Sequence, residues 1–400
     1  MNSAVQQYII ITLSYWAFTL TDGALRMLVI LYFHQLGYSP LEIASLFLLY
    51  EMCGVVTNLL GGWVAAHWGL NTTLHVGLAL QIIALAMLML PPSYLTVVYV
   101  MLAQAISGVA KDLNKMSAKS SIKLLVPKEA QGKLYQWVSL LTGSKNTLKG
   151  VGFFLGSLLL AVFGFRLAIA IMAAALLGVL VLSFILLKKD LGKARFKPKF
   201  TDIFSKSAAV NRLSAARFFL FGARDVWFVI ALPVFLQEHL NWSATEVGTM
   251  LASWVIAYGI VQSFAPVITG IRSGKVPARK SAVSWAFLLA IIPLVMAGLM
   301  QQGLPLEKVL IIGLFSFGAF FAINSAVHSY LIVAYADEQG VSLDIGFYYM
   351  ANALGRLVGT ILSGWVYQSF GFMACLLISA GFILLASLIS LSLPQSHQGA

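Results

Sequence analysis

Long blocks of apolar residues run along this chain, divided by short polar joins. A helix crosses the hydrocarbon of a bilayer in about 20 residues. Twelve blocks are long enough to be spans: 8–35, 41–66, 73–90, 94–118, 133–163, 166–187, 212–237, 244–270, 281–300, 306–332, 345–370 and 372–393. Several joins are tight (YSPLE, LPPSY, FGFR, LNWSA), the first three with Pro or Gly. Spans 4 and 5 are long enough to project into water at one end. The pattern predicts an all-α membrane protein.

Composition agrees. Of 400 residues, 60% are hydrophobic and 10% charged, with mean hydropathy +0.89. Soluble domains carry about 25% charged residues, so the solvent here is lipid. The first block is far longer than the apolar core of a cleavable signal peptide. Cys53 and Cys375 lie in apolar spans and are too few for a disulfide framework or a thiolate metal site. No cofactor or metal is expected. A net charge of +12 could suggest nucleic acid, but the placement of Lys and Arg argues against that partner. With the N-terminus inside, outer loops hold only Arg166 and Lys308. One inner loop holds Lys188, Lys189, Lys193, Arg195, Lys197, Lys199 and Lys206, and another Arg272, Lys275, Arg279 and Lys280. This is the positive-inside bias, and an even number of spans places both termini in the cytoplasm.

The polar loop KKDLGKARFKPKFTDIFSKS divides the chain into a six-span half at 1–187, a linker at 188–211 and a second half at 212–400. The halves echo each other. LGYSPLEIA after span 1 matches LNWSATEVG after span 7, and the FGF that ends span 5 recurs at the end of span 11, at offsets of 204 and 207 residues. GWVAAHWGL (Gly62–Leu70) resembles GWVYQSFGF (Gly364–Phe372). Two pseudo-symmetric six-helix halves with nested three-helix repeats are the pattern of major facilitator transporters. That superfamily carries a loop motif Gly-x-Leu-Ala-Asp-Arg-x-Gly-Arg-Lys between spans 2 and 3. Here Gly62 and Gly69 remain, but Ala66 replaces the acid and Leu70 and Asn71 the basic pair, so the charged latch is missing. GVGFFLG (Gly150–Gly156) in span 5 has no proline, against a drug exporter, and reads as helix packing by small residues.

Charges inside spans are costly and mark functional groups. Asp22 and Arg26 sit one turn apart mid-span 1, where they form either a structural pair or a switch. Glu51 lies mid-span 2, Arg224 and Asp225 mid-span 7, and Arg356 in the run ANALGRLVGT of span 11. Arg224 and Asp225 point to different sides, and Arg356 has no charged neighbour in its own helix. Span 4 places Lys111, Lys115, Lys119 and Lys123 at i+4 spacing, and span 5 adds Lys145 and Lys149. Lys119 and Lys123 read as a solvated cytoplasmic face, and Arg217 as an interfacial residue that snorkels. His328, in NSAVHSYL of span 10, is a further candidate donor. In the facilitator architecture these spans line or flank a central cavity. Eight central cations (Arg26, Lys111, Lys115, Lys145, Lys149, Arg217, Arg224, Arg356) stand against four acids (Asp22, Glu51, Asp112, Asp225). That excess calls for a multiply charged small-molecule anion, with Arg forks suited to phosphate-like oxygens. The expected substrate ligands are Arg26, Lys111, Lys115, Lys145, Lys149, Arg224, Arg356 and His328, and the expected proton-coupling acids are Asp22, Glu51 and Asp225.

The stretches YWAFTLTDGALRML, AKDLNKMSAKSSIKLLVP, LTGSKNTLKGVGFFLG, SAARFFLFGARDVWFV and FYYMANALGRLVG together resemble the ArsJ-type organoarsenical efflux permeases, a bacterial branch of the major facilitator superfamily. The resemblance runs from about residue 8 to beyond 360. It implies export of 1-arseno-3-phosphoglycerate by alternating access across the bacterial cytoplasmic membrane, arsenate resistance, a functional link to glyceraldehyde-3-phosphate dehydrogenase, and a monomer. The residues alone do not separate this cargo from another phosphorylated metabolite or organic anion. A channel with a basic filter is disfavoured by charges scattered over many helices. An enzyme is disfavoured because no nucleophile–base set or His/Glu metal spacing occurs in the spans.

Overall fold

The computed structural model describes residues 3–38, 43, 46–127, 129–187, 207–242, 244–274, 276–338 and 340–395. The basic loop at 188–206 and Lys275 lie outside the described residues, as does most of the YSPLEIA repeat. Among the described residues, long helices carry the chain and no strand occurs. Span 1 is Ser3–Gln35, span 2 Leu48–Trp68, span 3 Leu70–Leu88 and span 4 Val97–Leu125. Spans 5 and 6 form one helical run, Gln131–Leu186, and spans 11 and 12 another, Val341–Ser390. Span 7 comprises Ala208–Phe228 and Ala231–Leu240; spans 8, 9 and 10 are Ala244–Ile268, Arg279–Gln301 and Leu306–Tyr335. Nine helices among the described residues are long and apolar enough to cross a membrane. Span 4 is long enough too, but its lysines lower its hydropathy.

The repeated FGF marks a real break. Gly164 (φ 69°, ψ 174°) divides the first long run, and Gly371 (φ 78°, ψ 179°) the second. This torsion is essentially restricted to glycine, since a side chain would collide with the backbone. Gly69, between spans 2 and 3, takes nearly the same one (φ 88°, ψ 156°), so the match of GWVAAHWGL to GWVYQSFGF is a match of backbone as well as of letters. Span 7 breaks for another reason. Pro233 lacks an amide hydrogen and its ring crowds the carbonyl four residues earlier, and the helix lapses at Val229–Ile230. The Ala231 amide is satisfied instead by the Ser363 hydroxyl at 3.1 Å.

By contact, the chain forms two units. The first comprises Met1–Ala130, Ser144–Ser205 and Asp337–Met350; the second comprises Gln131–Gly143, Lys206–Ala336 and Ala351–Ala400. The first unit's core gathers Leu25, Leu28, Val29, Phe33, Leu85 and Ile169. The second is richer in rings, with Trp227, Phe235, Trp254, Phe317, Phe321 and Phe372. Large apolar side chains such as Val98, Ile185, Ile312 and Phe370 are exposed, as expected of surfaces bathed in lipid. Close backbone packing stands in the first unit where the motif's charges are missing. A side chain at Gly62 would strike the Ser342 carbonyl, and one at Gly346 would lie 2.8 Å from the Asn58 carbonyl oxygen. Glycine here permits a helix approach that any Cβ would block.

Candidate functional site

In the first unit, small residues set the register of span 1 against span 5. A Cβ on Gly152 would lie 2.7 Å from the Leu20 carbonyl oxygen, and one on Gly156 would strike that of Ala24; Gly23 lies against the Lys149 carbonyl. The small-residue stretch is thus a packing face, as its composition predicts. It brings Lys149, with Lys145 beside it, into the electrostatic neighbourhood of Asp22, Arg26 and Glu51.

The pairing differs from the sequence expectation. Arg26 does not pair with Asp22 one turn away. Its Nη2 meets Glu51 Oε1 on span 2 at 3.0 Å, and its guanidinium lies 5.0 Å from the rings of Phe47 and Tyr50. Asp22 Oδ1 accepts a hydrogen bond from the Tyr50 hydroxyl at 2.8 Å. Lys111 stands 3.8 Å over the same Tyr50 ring. Tyr50 therefore organises three charges at once, and its position beside Glu51 was the only sign of this in the sequence.

Lower on span 4, Lys115 Nζ donates to Asp112 Oδ1 at 2.6 Å and to Asn58 Oδ1, and faces the Tyr349 ring at 4.7 Å. Lys119 is a correction to the solvated face expected of it. It is 2% exposed and donates to the Tyr349 hydroxyl. The i+4 ladder runs inward because span 2 and the first turns of span 11 cover it. The groups described here in this unit are six cations (Arg26, Lys111, Lys115, Lys119, Lys145, Lys149) and three acids (Asp22, Glu51, Asp112).

The second unit repeats the packing. Gly355 and Gly359 on span 11 lie against the carbonyls of Phe218 and Gly222 on span 7, as Gly152 and Gly156 lie against those of Leu20 and Ala24. Arg26 follows Ala24 by two residues and Arg224 follows Gly222 by two. The structural counterpart of Arg224 is therefore Arg26. One further expectation is corrected here. Arg224 does pair with its neighbour, through Nε and Nη2 to Asp225 Oδ1 at 2.5 Å. Arg356 reaches across to Asp225 Oδ2 at 3.0 Å. Asp225 is fully buried between two arginines.

Arg217 does not snorkel. It is 3% exposed, donates from Nε to Asn352 at 2.9 Å, and stacks 3.7 Å from the Phe221 ring. His328 is fully buried with neither ring nitrogen hydrogen-bonded. An apolar cavity of about 430 Å³ between spans 9 and 10, walled by Ile291, Met296, Leu299 and Ile312, shares no residue with these clusters.

Chemically, the first cluster holds guanidinium and ammonium groups, and the second guanidinium groups, in excess of carboxylate, steadied by aromatic faces and neutral oxygens. Guanidinium and ammonium groups of this kind can bind the oxygens of an anion.

The family description Major Facilitator Superfamily matches the chain twice, over residues 9–230 and 213–399. Among curated proteins none matches by sequence. Solved structures share the fold. The human organic anion transporter MFSD10 (TETRAN) is 16% identical with a TM-score of 0.77, covering 98% of this chain and 100% of that one. A bacterial homologue of the iron transporter ferroportin in an outward-facing state is 14% identical with a TM-score of 0.75, covering 98% of both chains. The proton:xylose symporter XylE is 14% identical with a TM-score of 0.73, covering 96% of this chain and 94% of that one. At these identities the likeness is one of fold.

Proposed function

Since the chain belongs to the major facilitator superfamily, it is a multi-pass membrane protein and a secondary transporter, and we propose that its cargo is a multiply charged organic anion, specifically 1-arseno-3-phosphoglycerate. Export of this compound across the bacterial cytoplasmic membrane, followed by its breakdown outside, would give arsenate resistance. The reading keeps the two six-helix halves, 1–187 and 212–400, moving by alternating access. The observation that carries it is the excess of cations over acids in the intramembrane cluster of each unit, with Arg26 and Arg224 at equivalent places. The compound has an oxyanion at each end. The proposed ligands for its oxygens are Arg26, Lys111, Lys115, Lys145 and Lys149 in the first unit and Arg224, Arg356 and His328 in the second. Asp22 accepts from Tyr50, Glu51 pairs with Arg26 and Asp225 with two arginines, and each of these mid-span acids is a candidate for proton coupling. Export of a polyanion from a cell negative inside is already favoured, by about 2.3 kcal/mol per charge per 100 mV.

The test is growth of an arsenate-sensitive bacterium expressing this protein with and without a co-expressed glyceraldehyde-3-phosphate dehydrogenase. Resistance that needs both supports the arsenical cargo. Resistance without the dehydrogenase, or none with it, overturns it; uptake of a phosphate ester by inverted vesicles would then identify an ordinary phosphorylated metabolite as cargo.

A further inference from the structure

The acids placed mid-span differ in what holds them. The Glu51 side chain is 47% exposed, so water can solvate it if Arg26 leaves. Asp22 keeps the Tyr50 hydroxyl. Asp225 retains one arginine when the other departs. Asp112 has no such reserve. Its side chain is 1% exposed, Oδ1 is held by Lys115 alone at 2.6 Å, and Oδ2 has no hydrogen-bond partner. Oδ2 faces the bare Cα of Gly54, where a Cβ would lie 3.3 Å away. Among the described residues, Lys115 is the one cation at ion-pair distance from Asp112. Lys111 is on the same helix, over Tyr50. Span 2 presents Asn58, and span 1 presents Tyr15, within electrostatic reach of Asp22, Asp112 and Tyr349. The first turns of span 11 present Tyr349, which holds Lys119.

We propose that Asp112 is the carboxylate that binds a proton during transport, accepting it on Oδ2 when Lys115 is drawn to the anion. A dry carboxylate stripped of its one cation is strongly disfavoured, and protonation removes the charge. One O–H bond forms at Oδ2 as one O–H bond of a hydronium ion breaks, leaving water. The contact between the Lys115 ammonium and Oδ1 breaks, and Lys115 keeps its own proton and pairs with the anion. Release of the anion runs the exchange backward. A metal cation is the poorer occupant, because it would want several oxygen ligands beside an ammonium already in place. This inference rests on the anionic reading and deepens it: anion and proton bind together, so anion affinity rises as pH falls.

Infrared difference spectra of the purified protein report the C=O band of a protonated carboxyl. Without any anion, Lys115→Gln should raise such a band over the wild type, and the double variant Asp112→Asn/Lys115→Gln should lack it. No band in Lys115→Gln, or one that persists in the double variant, overturns the proposal. In the wild type, 3-phosphoglycerate should induce the same band, and its affinity should strengthen by up to about tenfold per pH unit of acidification, against a flat profile in Asp112→Asn. A residue that merely positions Lys115 would weaken binding at every pH without changing the slope. If Lys115→Gln yields the band but 3-phosphoglycerate does not, the proton site stands and the anionic cargo fails.

Discussion

Asp225→Asn should be among the most damaging conservative changes in the spans. The variant keeps shape and volume but removes the charge that Arg224 approaches to 2.5 Å and Arg356 to 3.0 Å. Breaking a buried ion pair from one side costs about 3–5 kcal/mol, because the other charge is left uncompensated. The arginines do not suffer equally. The Arg356 side chain is 42% exposed and can turn away, whereas that of Arg224 is 15% exposed. The expected loss is therefore near the lower bound, about 3 kcal/mol, or roughly two orders of magnitude in the folded population. Glu51→Gln is the internal comparison. Its pair with Arg26 is 47% and 25% exposed, and pairs of that kind are worth about 0–1 kcal/mol. The assay is thermal unfolding in detergent, followed by loss of the monodisperse chromatographic peak, with the double variant Asp225→Asn/Arg224→Gln closing a cycle. The double should recover part of the loss, with a coupling of about 0.5–3 kcal/mol. Asp225→Asn melting with the wild type, or a double variant no better than the sum of its singles, would refute the pairing argument.

The glycine seams give a second prediction. Gly152→Val and Gly355→Val should each cost about 1–3 kcal/mol by overpacking, since each added Cβ meets a carbonyl of the facing helix. Gly178→Ala and Gly298→Ala meet nothing within 4 Å and should melt at or slightly above the wild-type temperature in the same scan. A third concerns the equivalent arginines. Arg26→Lys and Arg224→Lys keep the charge but lose the two-pronged geometry, so vesicle transport of 3-phosphoglycerate should fall at least tenfold while membrane abundance holds. Wild-type transport by both lysine variants would remove the guanidiniums from the binding role.

Much of the architecture is a local property and could be read along the chain. Span lengths follow from hydrophobicity alone. The breaks at Gly164 and Gly371 follow from a torsion only glycine adopts, and the Gly152–Gly156 face from its missing side chains. Each depends on residues adjacent in sequence, so no knowledge of neighbouring helices was needed. The same is true of the surplus of cations over acids, which is a count. The partners of those charges are another matter. At i,i+4 spacing Asp22 and Arg26 can meet, yet Tyr50 takes Asp22 and Glu51 takes Arg26. Asp225 draws Arg356 from a helix more than a hundred residues away, and Lys119 is buried under Tyr349 rather than solvated. A long side chain can reach several neighbours, and its choice depends on how each helix is rotated about its axis. That rotation is fixed by where the glycines of spans 5 and 11 seat against spans 1 and 7, a contact between distant segments that exists only once the chain has packed.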